Sequence, residues 1–296
     1  MAMEQCTLDS CPESFAVYGY RPNLGINVFF AVVFSFIAIW TTAIAIWKRR
    51  WISYSVVIAV GAILELVGYI SRDLGWADPF DVNYFSIQFT LLTLAPVFTT
   101  AGICLSLKYL ASRLGPGYLN ISSKFYTSFF IPSDVVALII QAVGGGLATS
   151  ESTSDNPPSP SDGLLVGTKI TIAGLALQVA SLTVFLVLFL GVVLPRRGRT
   201  NTAEPKAPSS EPFGEVPISV DDRKISRRRL LYFIFTLLLA TVLILIRSCY
   251  RVAELSQGLS SSLATDQWLF VGLDGFMVAI ATSMMAIVHP AFILEE

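Results

Sequence analysis

The chain reads as an all-α polytopic membrane protein, a seven-transmembrane-helix bundle with its N-terminus outside and its C-terminus cytoplasmic. Three observations predict this. Hydrophobic residues make up 54% and charged residues 14% of the 296 positions, with a mean hydropathy of +0.66, whereas a soluble domain carries about 25% charged residues. Seven apolar stretches each reach the roughly 20 residues that cross about 30 Å of hydrocarbon. Finally, Lys and Arg gather on alternate connections.

The apolar stretches fall at 25–47, 52–71, 85–109, 125–148, 165–194, 229–250 and 267–289. Pro96 in the third and Gly144-Gly145-Gly146 in the fourth mark a kink or a close helix approach, both tolerated in membrane helices. The fifth stretch exceeds one span, so it is expected to tilt or to begin outside the membrane. The start, Met1-Ala2-Met3-Glu4, lacks a basic n-region and apolar core, so the first span is expected to act as its own insertion signal.

Of the 20 cations, 15 lie on one side: three at Lys48-Arg49-Arg50, three among Lys108, Arg113 and Lys124, and nine between residues 195 and 229. The positive-inside rule makes that side cytoplasmic. The opposite loops, 73–81 and 151–162, hold acids and no Lys or Arg. The organisation predicted is an extracellular tail at 1–24, helices one to five over 25–194, a disordered cytoplasmic linker at 195–228, helices six and seven over 229–290, and a tail at 291–296. The linker is assigned on Pro205, Pro208, Pro212 and Pro217 among Ser, Glu and Lys, without apolar periodicity. Its end, Arg223-Lys224 and Arg227-Arg228-Arg229, reads as a topology anchor or as a site for anionic lipid or for phosphoregulation beside Ser219 and Ser226. The one sequon, Asn120-Ile121-Ser122, falls on the cytoplasmic side and is expected to be unmodified.

Against this background the buried polar residues stand out, because a charge at the bilayer centre costs about 2.5–3.5 kcal/mol on insertion scales and is paired, wetted or functional. In the second helix Glu65, Tyr69 and Arg72 lie at i, i+4 and i+7 and share a face. Arg247, Arg251 and Glu254 repeat that spacing in the sixth, with the latter two at or just past its outer edge. Asp274 lies about 9 Å below the outer interface, and Gln88 reaches a similar level. Pairing with Glu65 or Asp274 is the natural way to bury Arg247, whose planar fork never loses its proton. An ion-pair network that only locks the helices is as good a reading of this group as a binding site.

Asp134 and Gln141 share a face of the fourth helix, and Gln178 sits near the middle of the fifth. Asp134 has no evident cation at its depth, so it reads either as part of the scaffold or as a substrate contact or proton carrier. Lys169 reads as a snorkelling side chain and His289 as an interfacial helix end.

These residues resemble the fungal lipid-translocating exporter family, the group named for resistance to aminocholesterol. The similarity rests on Tyr18-Gly19-Tyr20-Arg21-Pro22, on Glu65 through Arg72, and on Gln88 with Leu94-Ala95-Pro96-Val97-Phe98. It continues through Asp134-Val135-Val136, Gln141, Gly144-Gly145-Gly146, Gly174 and Gln178, and closes with Ile246 through Arg251, Glu254, Asp274, Met277 and His289-Pro290. The family has Pro-Ser where this chain has Pro22-Asn23, and His-Pro-Gly where it has His289-Pro290-Ala291. Both departures fall at helix ends and bear on a local turn. The resemblance implies a fungal seven-helix protein of the plasma membrane that exports or flips sphingoid long-chain bases or other toxic amphiphiles, with membrane lipids as its surroundings. Glu65, Asp134 and Asp274 would then hold an ammonium head.

Other classes fit less well. A heptahelical receptor or sensor of a lipid remains the alternative, although a retinal pigment is disfavoured because the seventh helix has no lysine. An intramembrane zinc hydrolase needs several histidines, and only His289 exists. Four cysteines without a CxxC pair add no metal motif, and Cys6 and Cys11 are left as either a disulfide or two thiols. No GxxxxGK[ST] loop is present, so nucleotide-driven transport is not expected. No enzyme activity, cofactor or nucleic-acid partner is expected.

Overall fold

The computed structural model describes residues 20–114, 123–152, 166–193, 227–257 and 262–293. The expectations for Cys6, Cys11, the sequon at Asn120, Ser219, Ser226 and most of the 195–228 linker lie outside them. Among the described residues, seven helices are long and apolar enough to cross a membrane. They are α1 (Leu24–Trp47), α2 (Ile52–Ala77), α3 (Val82–Leu114), α4 (Ser123–Ser152), α5 (Val166–Val193), α6 (Arg227–Ser256) and α7. The last is composite, running from Gln267–Leu269 through a π-helical turn at Phe270–Phe276 into Met277–Ile287.

Two helices run past the stretches that hydropathy marks. Helix α2 continues through Arg72 to Ala77, and α6 through Arg251 and Glu254 to Ser256. Arg251 and Glu254 therefore sit within the helix and inside the bundle, where burial and pairing let the helix continue past the point at which side-chain polarity alone suggests an end.

Each helix packs on its neighbour in sequence, and α7 returns to α1 to close the ring. Helix α3 also meets α6 and α7, and α2 meets α7, which brings α3 and α7 to the centre. Burial follows: 67% of the apolar window of α3 is enclosed against 28% for α4. Phe36, Ile39, Ile46 and Trp47 of α1 and Ile139 and Val143 of α4 point outward. Apolar surface of that extent needs lipid around it.

Hydroxyls on the helices satisfy themselves locally. Thr41, Thr93, Thr100, Thr171, Ser55 and Ser248 each donate to the carbonyl four residues back, which removes the cost of an unpaired donor in hydrocarbon.

The turns in doubt resolve at both ends. Asn23 caps α1, its Oδ1 accepting from the Ile26 amide at 3.2 Å, as Ser would. After α7, Pro290–Ile293 forms one helical turn. His289 follows the end of the helix and is fully buried within the bundle. Its Nδ1 accepts from the Ala291 amide at 3.1 Å and its Nε2 meets Ser55 Oγ at 2.8 Å. A ring that accepts at Nδ1 carries its proton on Nε2, so this imidazole is a structural tie between α7 and α2.

Candidate functional site

The sequence-predicted residues separate into two groups, one joining α2, α3, α6 and α7 and the other lying between α4 and α5. In the first group Asp274 is the hub. It accepts a two-pronged hydrogen bond from Arg251, Nε to Oδ1 at 2.9 Å and Nη2 to Oδ2 at 3.0 Å. Arg247 Nε is 2.8 Å from Oδ1. Arg251 also donates Nη1 to Glu254 Oε2 at 3.0 Å. Of the two partners foreseen for Arg247, the structure selects Asp274.

Asp274 sits in the π-helical turn. The wider turn leaves room for its neighbours only because residue 275 is glycine: a Cβ there would lie 2.7 Å from Phe30 and 2.9 Å from the Tyr69 hydroxyl. Tyr69 is held by stacking on Phe30 and Phe34, with ring centroids 4.9 and 5.8 Å away.

The wholly buried Arg247 also donates Nη2 to the Leu92 carbonyl of α3. That carbonyl is free for a simple reason: its helical donor would be the amide of residue 96, which is proline. The same device recurs at the other end of the bundle. Pro290 leaves the Ala286 carbonyl without a helical donor, and Trp40 Nε1 donates to it at 3.2 Å. The buried carbonyl of Met285 receives the Tyr54 hydroxyl at 2.8 Å.

Glu65 is 3% exposed and lies within the field of Arg247, Arg251 and Asp274, yet its Oε1 has no hydrogen-bond partner. Gln88 is buried on α3. Arg72 does not pair with Glu65. It donates Nη2 to the Tyr20 hydroxyl at 2.6 Å and lies 4.2 Å from the centroid of Phe270. Phe270 also faces Arg251 at 5.3 Å, so one ring separates two guanidinium groups and attracts both. The neighbouring Arg21 stacks on Trp76 at 4.4 Å and donates to its carbonyl at 3.2 Å. Tyr20 and Arg21 thus tie the segment ahead of α1 to the end of α2. Three guanidinium groups and three carboxyl groups, Glu65, Glu254 and Asp274, are enclosed together, so the group has no surplus of either sign if all are ionised.

The second group is built on small residues. A Cβ on Gly144 would lie 2.5 Å from Thr171 N, one on Gly167 2.1 Å from Ala148 N, and one on Gly174 2.8 Å from Gln141. Helices α4 and α5 therefore touch backbone to backbone, the arrangement small residues permit in membranes. Gly144 seats a helix rather than opening a passage, whereas Gly146 has open space beside it. Along this seam Gln141 Nε2 donates to Gln178 Oε1 at 3.0 Å, leaving Gln141 Oε1 and Gln178 Nε2 unpaired. Asp134 is 3% exposed with the Ser181 hydroxyl beside it, and its charge is felt by Cys104 of α3. No cation among the described residues acts on it. Lys169, at the other end of the seam, is exposed.

Sequence reasoning did not single out Ser181, Phe270, Trp76 or the Leu92 carbonyl. Only the last had a readable signal, a proline four residues downstream. Among the described residues no three His, Cys, Asp or Glu side chains converge to hold a metal ion.

Residues 58–296 match the family described as RTA1 like protein. The chain is 32% identical over 302 residues to the sphingoid long-chain base transporter RSB1 of Saccharomyces cerevisiae, covering 96% of this chain and 76% of the relative. It is 28% identical over 237 residues to protoporphyrin uptake protein 1 of the same organism, covering 76% and 65%. Protein RTM1 of Saccharomyces cerevisiae is 26% identical over 223 residues, covering 75% and 62%. No solved structure matches the chain.

Proposed function

The chain belongs to the RTA1-like family of fungal membrane proteins, and we propose that it moves amphiphilic lipids of the sphingoid long-chain base type, or toxic amphiphiles of like chemistry, across the plasma membrane. Relatives named as a transporter and as an uptake protein support a transport function. The observation that carries the substrate class is Asp134, a buried acid on the lipid-facing helix α4 with Ser181 beside it and no described cation acting on it. An ammonium head needs an acid that a guanidinium has not already taken, and Asp134 meets that condition better than Asp274 or Glu254.

In this reading the ammonium pairs with Asp134 while the alkyl tail lies along the apolar faces of α4 and α5. The positive-inside count supports an external N-terminus, with Asp134 reached from within the bilayer. The ion-paired group around Asp274 holds α6 and α7 against α2 and α3. Glu65, with one carboxylate oxygen unpaired, is the member of that group best placed to contact substrate as well.

The test is transport of a fluorescent long-chain base in proteoliposomes containing the purified chain, with and without a pH gradient. Movement that Asp134→Asn abolishes, in a variant that keeps its thermal midpoint, supports the reading. Wild-type protein that moves no amphiphile under either condition overturns it.

A further inference from the structure

The Gln141–Gln178 pair of the α4–α5 seam is incomplete in a particular way. Two facing carboxamides can bond twice, each donating once and accepting once. Here Gln141 Nε2 donates to Gln178 Oε1 at 3.0 Å, and the return bond from Gln178 Nε2 to Gln141 Oε1 is not made. Both side chains are buried, at 4% and 1% exposure. Exchanging oxygen and nitrogen in both amides leaves the same remainder, one acceptor on one side chain and one donor on the other.

We propose that this remainder recognises a hydroxyl of the cargo head group, an assignment that rests on the transport reading above and names the chemistry the seam selects. The hydroxyl donates to Gln141 Oε1 and accepts from Gln178 Nε2 while the neighbouring ammonium pairs with Asp134.

The donor set points to a hydroxyl. Each buried polar atom without a partner costs about 1–3 kcal/mol, and the hydroxyl of Thr171 on the same seam avoids that cost by bonding back to the Gly167 carbonyl at 3.0 Å. The two amide atoms need one donor and one acceptor side by side, which a hydroxyl oxygen supplies from a single atom. An ammonium only donates and a phosphate oxygen only accepts, so either would leave one of them unpaired.

The level fits as well. Gln141 is seven residues from Asp134 on one face of α4, and Gln178 three from Ser181 on α5, about 10.5 and 4.5 Å along the helix axes. An ammonium and a hydroxyl on adjacent carbons, each reaching out by a hydrogen bond of about 2.8 Å, span roughly 8 Å. That length falls between the two separations. Gly174 holds Gln141 against α5, since a Cβ there would lie 2.8 Å from its Cγ and 2.9 Å from the Ala137 carbonyl. Ile139 and Val143, flanking Gln141, and Leu177, beside Gln178, are exposed and give an alkyl tail an apolar surface to lie on.

The test is equilibrium binding of radiolabelled sphinganine to the full chain in detergent, displaced by unlabelled sphinganine or by octadecylamine, which keeps the ammonium and chain and lacks the hydroxyls. Sphinganine is expected to displace at least about tenfold more effectively, because octadecylamine leaves both amide atoms unpaired. Gln141→Leu with Gln178→Leu is expected to abolish that preference by lowering sphinganine affinity, and Asp134→Asn to weaken both amines. Thr183→Ala, on the exposed side of α5, is expected to keep the preference of wild type. Equal affinity of wild type for the two amines, or a preference that survives in the double leucine variant, would overturn the assignment. A chain that keeps the preference yet moves neither amine in proteoliposomes retains the hydroxyl site and loses the transport reading. A chain that moves both amines without preference does the reverse.

Discussion

The α2–α6–α7 group and the α4–α5 seam bury polar side chains at the same 2–4% exposure or less for most members, yet they solve the problem of polarity in hydrocarbon differently. Around Asp274, guanidinium and carboxyl groups neutralise one another, and Arg247 also collects a carbonyl that Pro96 leaves free. Between α4 and α5, one amide pair is half satisfied and one acid has only a hydroxyl beside it. The first arrangement leaves Glu65 Oε1 and Arg247 Nη1 without a hydrogen bond, but its charges offset one another. The second has a buried acceptor and a lone acid on a helix that faces lipid.

The largest effect that would break this contrast is on stability. Asp274→Ala leaves Arg247 and Arg251 enclosed without their shared acid, and removing one partner of a buried pair costs about 3–5 kcal/mol. Loss of a monodisperse peak in fluorescence-detected size exclusion, or a collapse of the thermal midpoint, is expected. A variant as stable as wild type would mean that the group is no lock.

Next comes Asp134→Asn, expected to remove transport while leaving the midpoint close to wild type. A hydrogen bond to a charged group contributes about 1.5–3 kcal/mol, so apparent affinity for the long-chain base is expected to fall more than tenfold. Glu65→Gln run beside it sharpens the comparison: an equal loss of transport there would move the substrate site toward α2. Gly167→Val probes the seam without touching charge. Its Cβ meets the Ala148 amide, and overpacking of this kind costs about 1–3 kcal/mol, read as a lowered midpoint.

The smallest effect is predicted for Gln141→Leu with Gln178→Leu. Replacing both partners of an imperfect pair by apolar groups is close to neutral, so the midpoint is expected to hold within about 1 kcal/mol. If transport also holds, the amide pair is packing. If transport falls while stability does not, the unpaired Gln141 oxygen or Gln178 nitrogen serves the cargo.

Much of this was legible before any coordinates. The helices fall where apolar runs of spanning length predict them, because a backbone in hydrocarbon has no water to satisfy it and must close its own hydrogen bonds. The shared face of Glu65, Tyr69 and Arg72 follows from helical spacing, and all three are buried. Spacing along one helix carries no information about the next helix, which is why the Arg72 partner was not. Arg72 turns to Tyr20 and Phe270 rather than to Glu65, and Ser181 stood unnoticed among many serines.

The sequence by itself determined the class of the protein, its spans and the list of groups that hydrocarbon would not tolerate unpaired, since those depend on length, apolarity and periodicity along a single chain. Tertiary structure alone decided the pairings. Pro96 and Pro290 announce which carbonyls lose a donor, but only the packing of α6 beside α3 and of α1 beside α7 supplies Arg247 and Trp40 to fill them. The π-helical turn that carries Asp274 to two arginines is likewise set by its neighbours, because the few residues of local sequence that favour an α-helix are outweighed by three ionic groups that must meet.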